Sequence, residues 1–316
     1  MRRSDIMKLL FETPYEELRE QADEVRCKAK GDHVFVRGLI EFSNRCERNC
    51  RYCGLRAANT ELERYDLDDE QIEAAADRAV ALGADTLVLQ SGEVTGDPGR
   101  IARMVDRLSR RHHVPITLSV GEHPTSSYAL WREAGATRFL IKHETADAGL
   151  YAKLHPGWTL AQRVDALRRL RALGYEIGSG FIVGVPGQTP EILAEDILLC
   201  RDLHVDMCGA GPFIPQKNTP LGTEPRGTAE LTLRVMAVLR IAMPWANLPA
   251  TTALATLNPV AGQREGLRAG GNVLMPGFTP AAFRRNYCIY DNKHRVDMEE
   301  ARLVIESAGR THSLRV

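Results

Sequence analysis

Long apolar runs are missing from this chain. No stretch approaches the roughly 20 residues that a helix needs to span a bilayer. The opening residues, "MRRSDIMKLLFETPYEELREQADEVRCKAKG", carry two arginines but neither the apolar core nor the small-residue cleavage site of a secretory signal. They read instead as an amphipathic helix. Net charge is missing too: Lys plus Arg and Asp plus Glu number 41 each, so no global field draws nucleic acid or an acidic membrane surface. No Ser/Gly linker, low-complexity tract or helical repeat divides the 316 residues. The seven cysteines are an odd number spread over a large chain, which argues against a disulfide framework. The expectation is a soluble cytoplasmic protein with no nucleic-acid and no membrane partner.

What is present is an alternation. Short β-branched or apolar runs at 34–43, 85–91, 115–121, 137–144, 176–184, 205–213, 249–256 and 271–276 read as strands. Helical patterns at 68–82, 98–111, 160–173, 190–203 and 228–242 lie between them. Eight strands with crossovers predict parallel βαβ units and a complete (β/α)8 TIM-type barrel, with an open doubly wound sheet as the structural alternative. The expected organisation is one domain: an N-terminal helical extension (1–33), the barrel (34–276) and a short C-terminal cap (277–316). Function in such a barrel sits on the loops after the strands.

The loop after the first strand reads "RCERNCRYCGLR" and brings Cys46, Cys50 and Cys53 together as CxxxCxxC. Soft sulfur ligands on so short a loop select zinc or an iron–sulfur cluster. A structural zinc site closes with four ligands, and the nearest further candidates, Cys27 and His33, precede the strand. Three cysteines on a cubane leave one iron open to a small molecule. The plainer reading is a zinc knuckle or three unrelated thiols. Cys27, Cys200, Cys208 and Cys288 read as small hydrophobes rather than ligands. Gly178, Gly180, Gly184 and Gly187 resemble a phosphate loop only superficially, since no P-loop lysine and Ser/Thr follow.

CxxxCxxC with Tyr52 before the third cysteine resembles the signature of radical S-adenosylmethionine enzymes. More narrowly, "NRCERNCRYCGLR", "LQSGE", "TLSVGE", "HETAD", "VGVPGQT", "GPFIPQKNTPL" and "LPATTALAT" together are similar to the HydE family of FeFe-hydrogenase maturases. Biotin synthase and methylornithine synthase belong to the same broader group. Some HydE members carry a second cysteine cluster near the C-terminus. Only Cys288 lies in that region here, so a second cluster is not expected.

The resemblance implies one 4Fe–4S cluster held by Cys46, Cys50 and Cys53, with S-adenosylmethionine on the open iron. It places Glu144 at the cofactor, with Lys142 where an arginine is common. By alternation, Lys142 and Glu144 face inward near the barrel mouth, and an interior ion pair between them is the alternative. Arg163 lies at the edge of the apolar stripe of its helix, near the start. It is expected to take the methionine carboxylate, a snorkelling surface arginine being the alternative. Ser91 and Gly92 are expected at the methionine amine, and Tyr287 and Tyr290 over the adenine, with packing as their plainer role. Thr117 and Ser119 share one strand face, and Thr251 and Thr252 match the family's segment. With Lys142, these form the expected substrate lining, although threonine pairs also serve β structure alone.

The implied activity is reductive cleavage of S-adenosylmethionine to a 5′-deoxyadenosyl radical, used in assembling the hydrogenase di-iron subcluster. The implied partners are a small organometallic iron substrate, the other hydrogenase maturases and a low-potential electron donor. Two rivals stand beside it. One is a methylornithine-synthase-like or biotin-synthase-like enzyme acting on an organic substrate. The other is a non-catalytic iron–sulfur carrier, which would have no need of Glu144 and Arg163.

Overall fold

The computed structural model describes residues 1–312; the last four residues assigned above to the C-terminal cap, 313–316, lie outside the described residues. Two helices, α1 (Arg3–Phe11) and α2 (Tyr15–Lys30), precede strand β1 (Phe35–Ser43). The alternation follows as α3 (Asp69–Ala81), β2 (Thr86–Ser91), α4 (Pro98–Arg111), β3 (Ile116–Ser119), α5 (Thr125–Glu133) and β4 (Ala136–Leu140). Helices α6 (Ala148–Leu154) and α7 (Leu160–Ala172) lead to β5 (Glu176–Val183), α8 (Pro190–Asp202), β6 (Met207–Pro212) and α9 (Ala229–Ala242). The chain finishes with α10 (Thr252–Leu257), α11 (Gly262–Arg268), β7 (Val273–Leu274), α12 (Ala281–Arg284) and α13 (Met298–Ser307). None of these helices is long and apolar enough to cross a membrane.

The strands form one parallel sheet in the order β6-β5-β4-β3-β2-β1-β7. Their outward residues, among them Ile40, Phe42, Leu89, Leu118 and Phe139, are buried in the main core beneath the helices. That core includes Ile72 and Ala76 of α3, Val105 of α4, Trp131 of α5 and Leu167 of α7. Inward residues are more polar: Arg37 and Glu41 on β1, Gln90 on β2, Thr117 and Ser119 on β3. A polar interior rimmed by an apolar shell leaves room for a polar ligand rather than for packing.

Three departures from expectation have local causes. The N-terminal helix breaks in two at Pro14, which has no N–H for helix continuation and serves as the N-cap of α2. The strand expected at 137–144 stops at Leu140, because Glu144 takes a left-handed backbone (φ 63°) and meets β5 through a single bridge to Phe181. The strand expected at 249–256 is not one. Pro249 cannot donate, Thr251 stands at an N-cap position, and the Ala/Leu-rich residues after it form α10. Among the described residues the sheet therefore has seven strands rather than eight. Between its two edges, Asn247 bridges to Met207 of β6 and Pro249 to Val273 of β7, both parallel.

A candidate active site at the carboxyl ends of the strands

Cys46, Cys50 and Cys53 sit on the irregular loop between β1 and α3, and all three are half-buried. Cys46 and Cys50 line a cavity of about 200 Å³ together with Tyr52, Ser91, Ser119, Lys142, Glu144 and Arg163. Five segments distant in sequence thus meet at the ends of β1 to β4. Lys142 Nζ stands 3.1 Å from Glu144 Oε2, so the interior ion pair forms, yet that buried oxygen accepts no aligned hydrogen bond. The Glu144 backbone is fixed instead, donating to Gly180 O at 3.0 Å and accepting from Ile182 N at 3.1 Å. Behind it, the buried carboxylate of Asp196 accepts from the Ala146 N–H at 2.5 Å and from Gln188 Nε2 at 2.8 Å. Burial pushes the Asp196 carboxyl up to about 7.

Arg163 is not left with a vacant fork. The cap of α7 by Thr159 sets the helix start, and Arg163 then turns inward, donating Nε to Glu122 and Nη1 to the Lys142 carbonyl at 2.5 Å. Glu122 thus gives Arg163 a carboxylate partner within the chain. Arg48 pairs with Glu93, lies 3.9 Å from Glu122 and stacks 3.0 Å over the Trp158 ring. Two arginines and two glutamates so neutralise one another, with side chains 8–11% exposed. Sequence reasoning missed Arg48, Glu93, Glu122 and Trp158. Glu93 and Glu122 close the quoted "LQSGE" and "TLSVGE" segments, and that position at a strand's carboxyl end was the available signal.

His155 was missed as well. Burial pushes its imidazole down to about 3, so the ring is neutral. Its Nδ1 lies 3.3 Å from Tyr151 O and its Nε2 3.0 Å from Tyr52 Oη. The first nitrogen therefore carries the proton and the second accepts from the tyrosine hydroxyl.

Gly92 has a reason other than ligand approach. A Cβ there would lie 2.2 Å from Arg45 O and 2.7 Å from Cys46 Cβ, so the glycine lets β2 abut the cysteine loop. Gly92→Ala is expected to push that loop away, lowering stability by about 1–3 kcal/mol and cutting iron retention. Urea unfolding of the apoprotein and iron content after reconstitution measure the two effects. Ser91 Oγ donates to Gly92 O at 2.6 Å.

The other expected residues fall elsewhere. Tyr287, Tyr290 and Thr252 line a second, larger cavity of about 730 Å³ with Glu41, which pairs with Lys293. Tyr287 and Tyr290 lie there because the C-terminal segment crosses the β1/β7 side of the sheet rather than the side of β2 to β4. Thr117 and Thr251 line neither of these two cavities, and their buried hydroxyls have no hydrogen-bond partner among the described residues. Cys200 and Cys208 are buried with sulfurs 3.5 Å apart, and Cys288 donates to Arg285 O at 2.7 Å.

The three loop thiols suit a multi-metal cluster. Burial pushes the Cys50 thiol up to about 12 and Cys53 higher still, with mutual repulsion adding to both. Thiolates so placed need a strongly positive partner that contacts each separately, and a cluster gives each its own iron. A backbone N–H from Glu93 points at Cys46 Sγ at 3.4 Å, the kind of bond that tunes such a cluster.

Comparison with known proteins agrees. The model of the radical SAM superfamily matches residues 40–200. The chain is 45% identical over 281 residues to the [FeFe] hydrogenase maturase subunit HydE of Thermotoga maritima, covering 88% of this chain and 80% of that protein. A 3-methylornithine synthase of Methanosarcina acetivorans is 29% identical over 272 residues, covering 85% and 76%. The crystal structure of methylornithine synthase (PylB) superimposes with a TM-score of 0.87 at 28% identity, covering 98% of this chain and 94% of that one. The chain is a radical S-adenosylmethionine enzyme, a class that carries a 4Fe–4S cluster on three cysteines and uses S-adenosylmethionine, and it belongs to the HydE family of FeFe-hydrogenase maturases.

Proposed function

We propose that Cys46, Cys50 and Cys53 each bind one iron of the cluster and that S-adenosylmethionine occupies the neighbouring cavity. The reading is carried by the meeting of Cys46 and Cys50 with Ser91, Lys142, Glu144 and Arg163 in one space. When bound, the cluster supplies the electron that cleaves the sulfonium and so delivers a 5′-deoxyadenosyl radical. The chain's own part is to hold and to shield. Glu144, fixed by its left-handed backbone, accepts from an ammonium or ribose hydroxyl through its unpartnered oxygen. Ser91 and Gly92 border the amino group, and Tyr52 with His155 keeps water from the loop. Arg163 shapes the cavity by holding Glu122 and the Lys142 carbonyl, and its remaining donors face the cofactor carboxylate.

The second cavity, with Tyr287, Tyr290 and Thr252 on its wall, is the room for substrate, reached past Ser119 and Lys142. The substrate in this reading is a small organometallic iron precursor, which suits a chain 45% identical to an [FeFe] hydrogenase maturase subunit. The partners are the other hydrogenase maturases and a low-potential electron donor, and the compartment is the cytoplasm. We read the bridged segment 247–250 as the eighth stave of a complete (β/α)8 barrel, and the chain as one domain with an extension at 1–33 and a cap from 277 onward.

In vitro maturation of apo-FeFe-hydrogenase, with partner maturases and with or without this protein, tests the proposal. Activation that requires this protein supports it. Full hydrogenase activity in its absence, or turnover of an amino acid to methylornithine, moves the assignment to the organic-substrate rival. Lys142→Ala is expected to lower maturation by more than it weakens S-adenosylmethionine binding, because its ammonium supplies positive charge on the substrate side of Glu144. Equal losses in both assays would place Lys142 at the cofactor alone.

A further inference from the structure

Between β1 and α3 the chain has little regular structure, so its carbonyls need partners outside any helix or sheet. One side chain serves four of them. Arg64 Nη1 donates to the carbonyls of Asn44 (2.7 Å) and Leu55 (2.8 Å), and Nη2 to those of Arg56 (2.7 Å) and Asn59 (3.2 Å). Asn44 stands two residues before Cys46 and Leu55 two after Cys53. A single guanidinium therefore gathers the entry and the exit of the cysteine segment at one point. Side chains brace the same knot: Asn44 Nδ2 donates to Glu63 O at 2.8 Å, Asn44 Oδ1 accepts from Tyr65 N at 2.8 Å, and Asn59 Nδ2 donates to Gly54 O at 2.7 Å.

Charge is the second feature. Among the described residues no carboxylate forms an ion pair with Arg64; its four acceptors are all neutral carbonyls. The guanidinium nevertheless sits at the carbonyls of Asn44 and Leu55, each two residues along the chain from Cys46 or Cys53, so its charge lies beside the cysteine segment. A lysine would keep the charge, but its three donors on one nitrogen cannot span four carbonyls in the way that the planar fork does.

We infer that Arg64 is a positioning residue with two separable effects: its fork holds the cysteine loop in cluster-binding shape before iron arrives, and its unpaired charge makes the bound cluster easier to reduce. The inference rests on the assignment of Cys46, Cys50 and Cys53 to the cluster. Reduction brings one electron from a low-potential donor, makes or breaks no bond, and leaves the centre one charge more negative. A fixed cation nearby stabilises that product and raises the potential.

Arg64→Lys and Arg64→Gln, reconstituted anaerobically beside the wild type, separate the two effects. Release of iron to a chelator should be about tenfold faster in both variants, since charge-assisted hydrogen bonds to the loop are lost. The midpoint potential, followed by electron paramagnetic resonance, should stay near the wild-type value in Arg64→Lys and fall in Arg64→Gln. Wild-type iron release in both variants overturns the clamp, and an unchanged midpoint in Arg64→Gln overturns the charge effect. A wild-type protein that takes up no cluster overturns the cluster assignment beneath the inference. If neither variant folds, limited proteolysis of the wild-type apoprotein decides: protection of residues 46–62 supports a loop shaped before iron arrives, and rapid cleavage there overturns it.

Discussion

Cys50→Ala protein, reconstituted anaerobically with iron and sulfide, is expected to contain almost no iron, whereas the wild type should reach about four irons per chain. Cys50 stands midway along the cysteine segment, and burial, then the neighbouring Cys46, pushes its thiol up. Removing it leaves Cys46 and Cys53 at the two ends of a span that no remaining thiol bridges. No other cysteine can replace it: Cys27 is on α2, Cys200 and Cys208 pack against each other, and Cys288 already donates to a carbonyl. The apoprotein of the variant should melt close to the wild type, because a half-buried thiol contributes little to the core. Stoichiometric zinc in the wild type, with no iron–sulfur absorbance, would reject the cluster altogether.

Arg163→Ala should cost the apoprotein about 3–5 kcal/mol of stability, the range for breaking a buried ion pair by removing one partner. The loss comes from Glu122, whose side chain is 8% exposed and would be left as an unpaired carboxylate, and from the Lys142 carbonyl, which loses its donor. Arg48, 3.9 Å from Glu122, is already committed to Glu93 and compensates only in part. Adding Glu122→Gln to Arg163→Ala should restore much of the stability, since the orphaned charge is gone. Urea unfolding of the four proteins of this cycle measures it, together with S-adenosylmethionine affinity. A single variant as stable as the wild type would mean that the pair is hydrated and that Arg163 acts through the cofactor alone.

The contrast between the two residues shows what the sequence could reveal. Cys46, Cys50 and Cys53 are legible because their chemistry depends on short spacing along the chain. The strands β1, β2, β5 and β6 are legible because β-branched or apolar runs sit between helices with clear caps. Glu144 and Lys142 could be placed near the mouth by alternation alone, although the left-handed turn that fixes Glu144 carries no sequence signal, since any glutamate pays the same strain. Arg163 was visible as a misplaced charge, but its partner was not: Glu122 lies 41 residues away, on the loop after β3, and only the tertiary fold brings that loop to α7. Arg48 on Trp158 and Tyr52 on His155 are long-range pairings of the same kind. The segment "LPATTALAT" failed in the other direction. Its threonines suggested a strand, while its alanines and leucines, released from the sheet after Pro249, formed a helix.

The most direct test is to reduce the fully loaded wild-type protein in the presence of S-adenosylmethionine and to quantify 5′-deoxyadenosine and methionine. The proposed site predicts that both appear in equal amounts, and that Cys50→Ala abolishes them. A reduced cluster with about four irons per chain and no deoxyadenosine would contradict it and leave the iron–sulfur carrier as the better account.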